Sequence, residues 1–256
     1  MYKRTIHRTI ENLDKLRERI LSRFSHEFRT PVTSIVGYAE VLLSEPALPS
    51  ETRQEFIEII KEEGDRLSNL MNQLMELFAL ERGTIKLEIT ETDVISTIDF
   101  AIKSVLPAAE KKLLTITPFY DQPTIVARFD KERMFETILH LISNAVKFSP
   151  QSGSVVVCAR SDNSIVEIMV SDNGKGIPTQ DVPFVFKGFY RVQRPGEEIR
   201  GAGMGLAIAK HLIELHGGSI SVVTTENAGS IFILRFPLDQ HRSKELKNTK
   251  GETIAP

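Results

Sequence analysis

From Ile6 onward, apolar residues return every three or four positions, at Ile10, Leu13, Leu16, Ile20, Phe24, Phe28, Ile35 and Leu42, with charges between them. That period is helical, and a helix this long with one apolar stripe cannot cover the stripe itself. Glu45-Pro46-Ala47-Leu48-Pro49-Ser50 interrupts it with two prolines and a serine suited to capping, and acidic Glu51 opens a new run. The second run, Phe56, Ile59, Ile60, Leu67, Leu70, Met71, Leu74, Leu77 and Phe78, lasts until Gly83. Two helices joined by so short a turn lie antiparallel, and a lone hairpin leaves apolar surface uncovered. The sequence therefore predicts a second copy of the same hairpin, closing a four-helix bundle as a homodimer.

After Gly83 the period changes. Strands are predicted at 85–89, 113–119, 124–128, 155–160, 165–171, 219–225 and 230–236, and helices at 93–111, 131–148 and about 204–216. The chain thus reads as a multidomain α and α/β protein: a helical hairpin over 1–82, then an α/β sandwich over 83–238. Residues 239–256 are polar and without periodicity, and are expected to be a disordered tail.

Charge and cysteine content limit the partners. Thirty-two basic against 34 acidic residues give a formal charge of -2 over 256 residues, which supplies no global field toward nucleic acid or anionic lipid. The single cysteine, Cys158, cannot form an internal disulfide, and within Val155-Val156-Val157-Cys158-Ala159 it reads as a core thiol in a reducing compartment. No apolar run approaches the roughly 18 residues of a membrane span, and Met1 to Arg8 lacks the apolar stretch of a signal peptide. The expectation is a cytoplasmic chain without membrane contact of its own, a reading that also allows excision from a membrane sensor.

Four clusters carry chemistry. In Phe24-Ser25-His26-Glu27-Phe28-Arg29-Thr30-Pro31, His26 is about 200° around the helix from Phe24, so the imidazole is expected at the surface, beside a carboxylate able to accept its proton. On the helix from Lys131, an apolar face of Met134, Ile138, Leu141, Ile142 and Ala145 is opposed by Glu136, His140, Asn144 and Lys147. That polar stripe reads as a solvated face, or as metal and phosphate ligands, since an amide oxygen suits Mg²⁺ and an ammonium suits phosphate. Asp172 follows Val166, Ile168 and Val170 onto one face of a strand and enters the glycine cluster Gly174-Lys175-Gly176. A carboxylate there needs a donor such as an exocyclic amine. Gly201-Ala202-Gly203-Met204-Gly205-Leu206 opens the next helix, where glycines let phosphate approach backbone N–H groups. Between the two clusters lies the aromatic run Phe184 to Arg191, in a loop long enough to be a docking lid. Neither Gly-Lys-Ser nor Gly-Lys-Thr occurs, which excludes a Walker A loop.

Taken together and in this order, the clusters resemble the catalytic core of two-component sensor histidine kinases over about residues 10 to 238. The H-box is Ser25 to Pro31, the N-box His140 to Ser149, and the first glycine box Asp172 to Ile177; Phe186 to Arg191 resembles the F-box and Gly201 to Leu206 the second glycine box. The resemblance implies ATP-dependent phosphorylation of His26 and transfer to an aspartate of a response regulator receiver domain. It implies Glu27 as base, Asn144 as the Mg²⁺ ligand and Lys147 as a phosphate contact, with Asp172 reading adenine. Gly174, Gly176, Gly201, Gly203 and Gly205 would shape the lid and phosphate cradle, with Phe186, Arg191 and Leu206 completing the nucleotide site. Thr30 matches the position from which relatives orient water to dephosphorylate their regulator. His140 stands where many members carry asparagine, which leaves its role toward the metal open, and Met204 replaces the usual leucine.

Two other readings compete. Nucleotide hydrolases of the same superfamily place a glutamate four residues before the metal asparagine, where this chain has His140. A dimeric scaffold without chemistry would have no use for His26, Asn144, Asp172 and both glycine boxes together.

Overall fold

The computed structural model describes Ser25, residues 27–162, 164–194 and 201–239. His26, the start of the first predicted helix and the segment from 240 onward lie outside the described residues. The described chain packs as two units: residues up to Leu77 together with Phe189–Met204, and Phe78–Gly188 together with the residues from Gly205.

The first unit holds the hairpin. Helix α1 covers residues 27–44 and helix α2 runs Ser50–Glu81, about 48 Å at 1.5 Å per residue. Arg53 stiffens the turn by donating from Nη2 to the Pro46 carbonyl at 2.8 Å. Tyr38 and Phe56 meet across the hairpin with ring centroids 4.9 Å apart. Pro31 and Leu70 are buried, whereas Val32, Val36, Ile57, Met71 and Met75 remain exposed, as does Phe78 further along α2.

The second unit is an α/β sandwich. Its elements are β1 (Thr90–Asp93), α3 (Val94–Lys111), β2 (Thr115–Tyr120), β3 (Val126–Phe129), α4 (Lys131–Phe148), β4 (Ser154–Ser161), β5 (Ile165–Asp172), α5 (Gly205–Leu215), β6 (Ser219–Thr225) and β7 (Gly229–Pro237). Five strands form one sheet in the order β2-β4-β5-β7-β6, parallel between β2 and β4 and antiparallel elsewhere, while β1 and β3 pair as a separate ribbon. Alternate residues of β4 and β5, Val155, Val157 and Ala159 with Val166, Ile168 and Val170, join Ile98, Ile138, Leu141, Ile142 and Ile213 of the helices in one core. The α/β expectation is met, with two corrections. Residues 85–89 alternate as predicted but have no ladder partner among the described residues, and the pairing falls at 90–93, where Asp93 also caps α3 through the N–H groups of Ile95 and Ser96. Cys158 is half-buried, because the residues of β4 facing the core are Val155, Val157 and Ala159 and the cysteine lies on the other face.

Helix α4 begins at the predicted residue because Asp130 caps it, accepting from the Arg133 N–H at 3.1 Å. The same carboxylate accepts from the Glu88 N–H at 2.8 Å. The Asp130 N–H in turn donates to His216 Nε2 at 3.1 Å, and His216 Nδ1 lies 2.7 Å from the Leu212 carbonyl. That pattern fixes a neutral imidazole with Nδ1–H as the donor. At the other end of α4, the Lys112 ammonium donates to the carbonyls of Val146, Lys147 and Ser149 at 2.9, 2.7 and 2.9 Å. A positive charge at a helix C-terminus is favourable, and here it also anchors the residues that lead out of the N-box.

Candidate active site

In the second unit the first glycine box is a wound loop held from three sides. Asp172 ends β5, and its Oδ1 accepts from the Gly174 N–H at 2.8 Å. Asn173 Oδ1 accepts from the Ser154 N–H at 2.9 Å. Gly174 has no room for a side chain, since a Cβ would lie 2.6 Å from the Phe148 carbonyl oxygen at the end of α4. Gly176, at φ +60, passes so close to Thr225 that a Cβ there would overlap its carbonyl oxygen. Thr224 closes the third side, its Oγ1 accepting from the Ile177 N–H and donating to the Gly229 carbonyl, each at 2.9 Å. Burial pushes the Asp172 carboxyl above its ordinary range, against the pull of the backbone N–H groups of Gly174 and Ser230. A desolvated carboxylate at the end of a strand is the acceptor that an exocyclic amine would satisfy.

Helix α4 presents its polar stripe half-sunk in the fold. Glu136, His140 and Asn144 are half-buried and Lys147 is exposed, so of the stripe only Lys147 matches the solvated-face reading. His140 lies against the start of α5, where a Cβ on Gly205 would stand 2.9 Å from its Nδ1. Its Nε2 is buried and has no hydrogen-bond partner among the described residues. Burial lowers the His140 pKa, opposed by the Glu136 carboxylate 4.0 Å away. Leu206 and Phe186 pack against the core, Phe186 edge-to-face with Phe232 at 6.3 Å. The loop predicted to lack regular structure contains one short 3₁₀ turn, Val182–Phe184. The donor set fits a magnesium nucleotide: a hard amide oxygen on Asn144, an ammonium one turn on at Lys147, and a half-buried acceptor at Asp172.

The first unit brings together a different group. Glu27, half-buried on α1, receives Arg191 Nη1 at Oε1 (2.6 Å) and Arg66 Nη2 at Oε2 (3.3 Å). Arg66 also donates from Nη1 to Glu63 Oε2 at 3.3 Å. Arg191 reaches Glu27 from the segment that follows the aromatic run, where Phe189 holds a positive φ of 64 and donates its N–H to the Gly203 carbonyl at 3.0 Å. Gly203, at φ +73, is required there, since a Cβ would lie 2.5 Å from the Tyr190 carbonyl oxygen. The F-box and the second glycine box are therefore tied to one another at Phe189 and Gly203. Gly201 is half-buried at φ 128, and Thr30 is exposed on α1.

Sequence reasoning passed over Thr224, Lys112 and Arg66. Each acts on a partner 34 or more residues away, so no local spacing marks it.

Two domain families match the chain in tandem: the His Kinase A (phospho-acceptor) domain over residues 16–83, and the Histidine kinase-, DNA gyrase B-, and HSP90-like ATPase over residues 129–240. This is the catalytic core of a sensor histidine kinase. The core is 30% identical over 251 residues to hybrid signal transduction histidine kinase D of Dictyostelium discoideum, covering 95% of this chain and 16% of that protein. The kinase spans under half the length of the curated relatives it matches, from 16% to 46%. Among solved structures it resembles full-length ShkA in complex with AMPPNP, at 27% identity and a TM-score of 0.64, covering 86% of this chain and 45% of that one. It shares its fold with histidine kinase ThkA in complex with response regulator protein TrrA, at 22% identity and a TM-score of 0.67, covering 93% of this chain and 66% of that one. Among the described residues of the kinase, no helix is long and apolar enough to cross a membrane.

Proposed function

We propose that this core phosphorylates its own His26 from ATP and passes the phosphoryl group to an aspartate of a response regulator receiver domain. A ring nitrogen of His26 forms a bond to the γ-phosphorus while the bond to the bridging oxygen breaks, its electron pair leaving on ADP. The proton displaced from the ring passes to Glu27, the adjacent carboxylate. Asp172 binds the adenine amine and Lys147 the phosphates. Gly174, Gly176, Gly201, Gly203 and Gly205 let the backbone come close, with Phe186, Arg191 and Leu206 completing the site. Bound Mg²⁺ offsets phosphate charge, and the Asn144 oxygen is its ligand, with the unpaired His140 Nε2 a second candidate one turn away. Thr30, exposed four residues after His26, orients water when the phosphorylated regulator is dephosphorylated.

The observation that carries this reading is the tandem of a phospho-acceptor hairpin and an ATPase-type domain whose half-buried Asp172 carboxylate is fixed by Gly174. The hydrolase alternative lacks the glutamate it would use, because that position is a half-buried His140 whose pKa burial lowers. We assign the acceptor hairpin to residues 1–82, the ATP-binding domain to 83–238 and a tail to 239–256, and place the whole in the cytoplasm. The exposed stripe of Met71, Met75 and Phe78 along α2, with Val32 and Val36 on α1, is the face on which a second copy docks. Incubation with γ-labelled ATP and Mg²⁺ tests the reading: the label is expected to be acid-labile, base-stable and absent from His26→Gln. Label retained by that variant, or phosphate released to water without labelled protein, would overturn it.

A further inference from the structure

Glu27 belongs to a row of four charged side chains, Glu63–Arg66–Glu27–Arg191, in which carboxylates and guanidinium groups alternate and the charges cancel. The row is partly withdrawn from water, with side-chain exposures of 16%, 23%, 13% and 30% in that order. Both oxygens of Glu27 are occupied by N–H donors, and the bond from Arg191 is the shorter at 2.6 Å. To accept a proton on either oxygen, Glu27 must give up a charge-assisted bond, the strong kind of hydrogen bond in proteins.

The two arginines are held differently. Arg66 stands on the long helix α2, bracketed by Glu63 one turn before it and by Glu27. Arg191 projects from residues 191–194, which have no regular structure. A triphosphate offers Arg191 more negative charge than a single carboxylate and the same fork geometry. We infer that Arg66 is the positioning residue that keeps Glu27 in place, and that Arg191 is a latch that occupies Glu27 until nucleotide phosphate draws it away. The inference rests on the reading of Glu27 as base and Arg191 as a nucleotide contact. It adds that the base is released by the arrival of the substrate, so that His26 is not activated in the empty enzyme.

Two measurements on the full chain test it, with Glu27→Gln as the reference for the underlying reading. The first follows autophosphorylation against ATP concentration. Arg66→Met is expected to lower the maximal rate on the order of tenfold and leave the ATP concentration for half-maximal rate unchanged, because the base is misplaced while the nucleotide contacts are untouched. Arg66→Lys is expected to recover most of the rate. A wild-type rate in Arg66→Met would overturn the positioning role, as would a loss that Arg66→Lys does not repair. The second measures phosphorylation of His26 by phosphoramidate without nucleotide. Arg191→Ala is expected to react several-fold faster than wild type, and the double variant with Glu27→Gln no faster. Equal rates in wild type and Arg191→Ala would overturn the latch. Wild-type autophosphorylation by Glu27→Gln would instead remove the base reading itself, and a defect in Glu27→Gln with none in Arg66→Met would remove the inference alone.

Discussion

At the scale of single residues, the proposed adenine contact at Asp172 sets ligand binding against stability. Its carboxyl is raised by burial, so the folded protein takes up a proton more readily than the unfolded chain, and the stability this group lends falls as pH rises above the ordinary carboxylate range. Near neutral pH the charge is a cost. Asp172→Asn keeps an oxygen for the Gly174 N–H and removes that cost, so it is expected to raise the melting temperature of the nucleotide-free protein while abolishing binding of an ATP analogue. A lower melting temperature would show that the carboxylate holds the loop by its charge. Thr30, exposed on α1, has the opposite profile. Thr30→Ala is expected to retain labelling of His26 and transfer to the regulator but to slow the decay of phospho-regulator measured with ADP present. An unchanged decay would reduce Thr30 to a surface residue. Asp172 and Thr30 stand out in the sequence as candidates because each lies in a local motif. Arg66 was not, since its pairing with Glu27 joins residues 39 apart and any basic residue on a charged helix looks alike in sequence.

Between elements, what the sequence conveys is the start and stop of each piece rather than its partners. Helix α4 could be bounded to the residue because a capping aspartate precedes it and Pro150 follows, whereas 85–89 was misassigned because alternation marks a face and not a ladder. The junction of α5 with α4 depends on His216, invisible in the sequence as anything but a histidine near a glycine. Burial lowers its pKa against the pull of the Leu212 carbonyl and Asp130. The neutral ring is therefore favoured by folding, and the stability it lends is complete above about pH 6.5 and lost as pH falls below it. His140 shifts in the same direction. The urea midpoint is expected to drop between pH 7.5 and 5.5, with part of that dependence gone in His216→Gln. An equal slope in both proteins would assign the effect elsewhere.

For the whole molecule, the dimer proposed above would form on the exposed stripe of the hairpin. Leu70 and Leu77 are already buried within one chain, while Met75 is 63% exposed. Met75→Asp is thus expected to leave the fold intact yet halve the mass seen by light scattering, from twice 28.8 kDa to 28.8 kDa, where Leu70→Asp would also lower the melting temperature. A wild-type protein at 28.8 kDa at micromolar concentration would count against the dimer. The five-stranded sheet has two outer strands, β2 and β6, and an outer strand is an open invitation to pair with a stranger. In β2 that invitation is blunted by Pro118, which has no N–H to offer. In β6, serines and threonines occupy four of the seven places. Pro118 therefore bears on shelf life rather than on catalysis: a valine in its place would turn a dead end into a template, and the concentrated protein would cloud on standing while the fresh enzyme kept its rate.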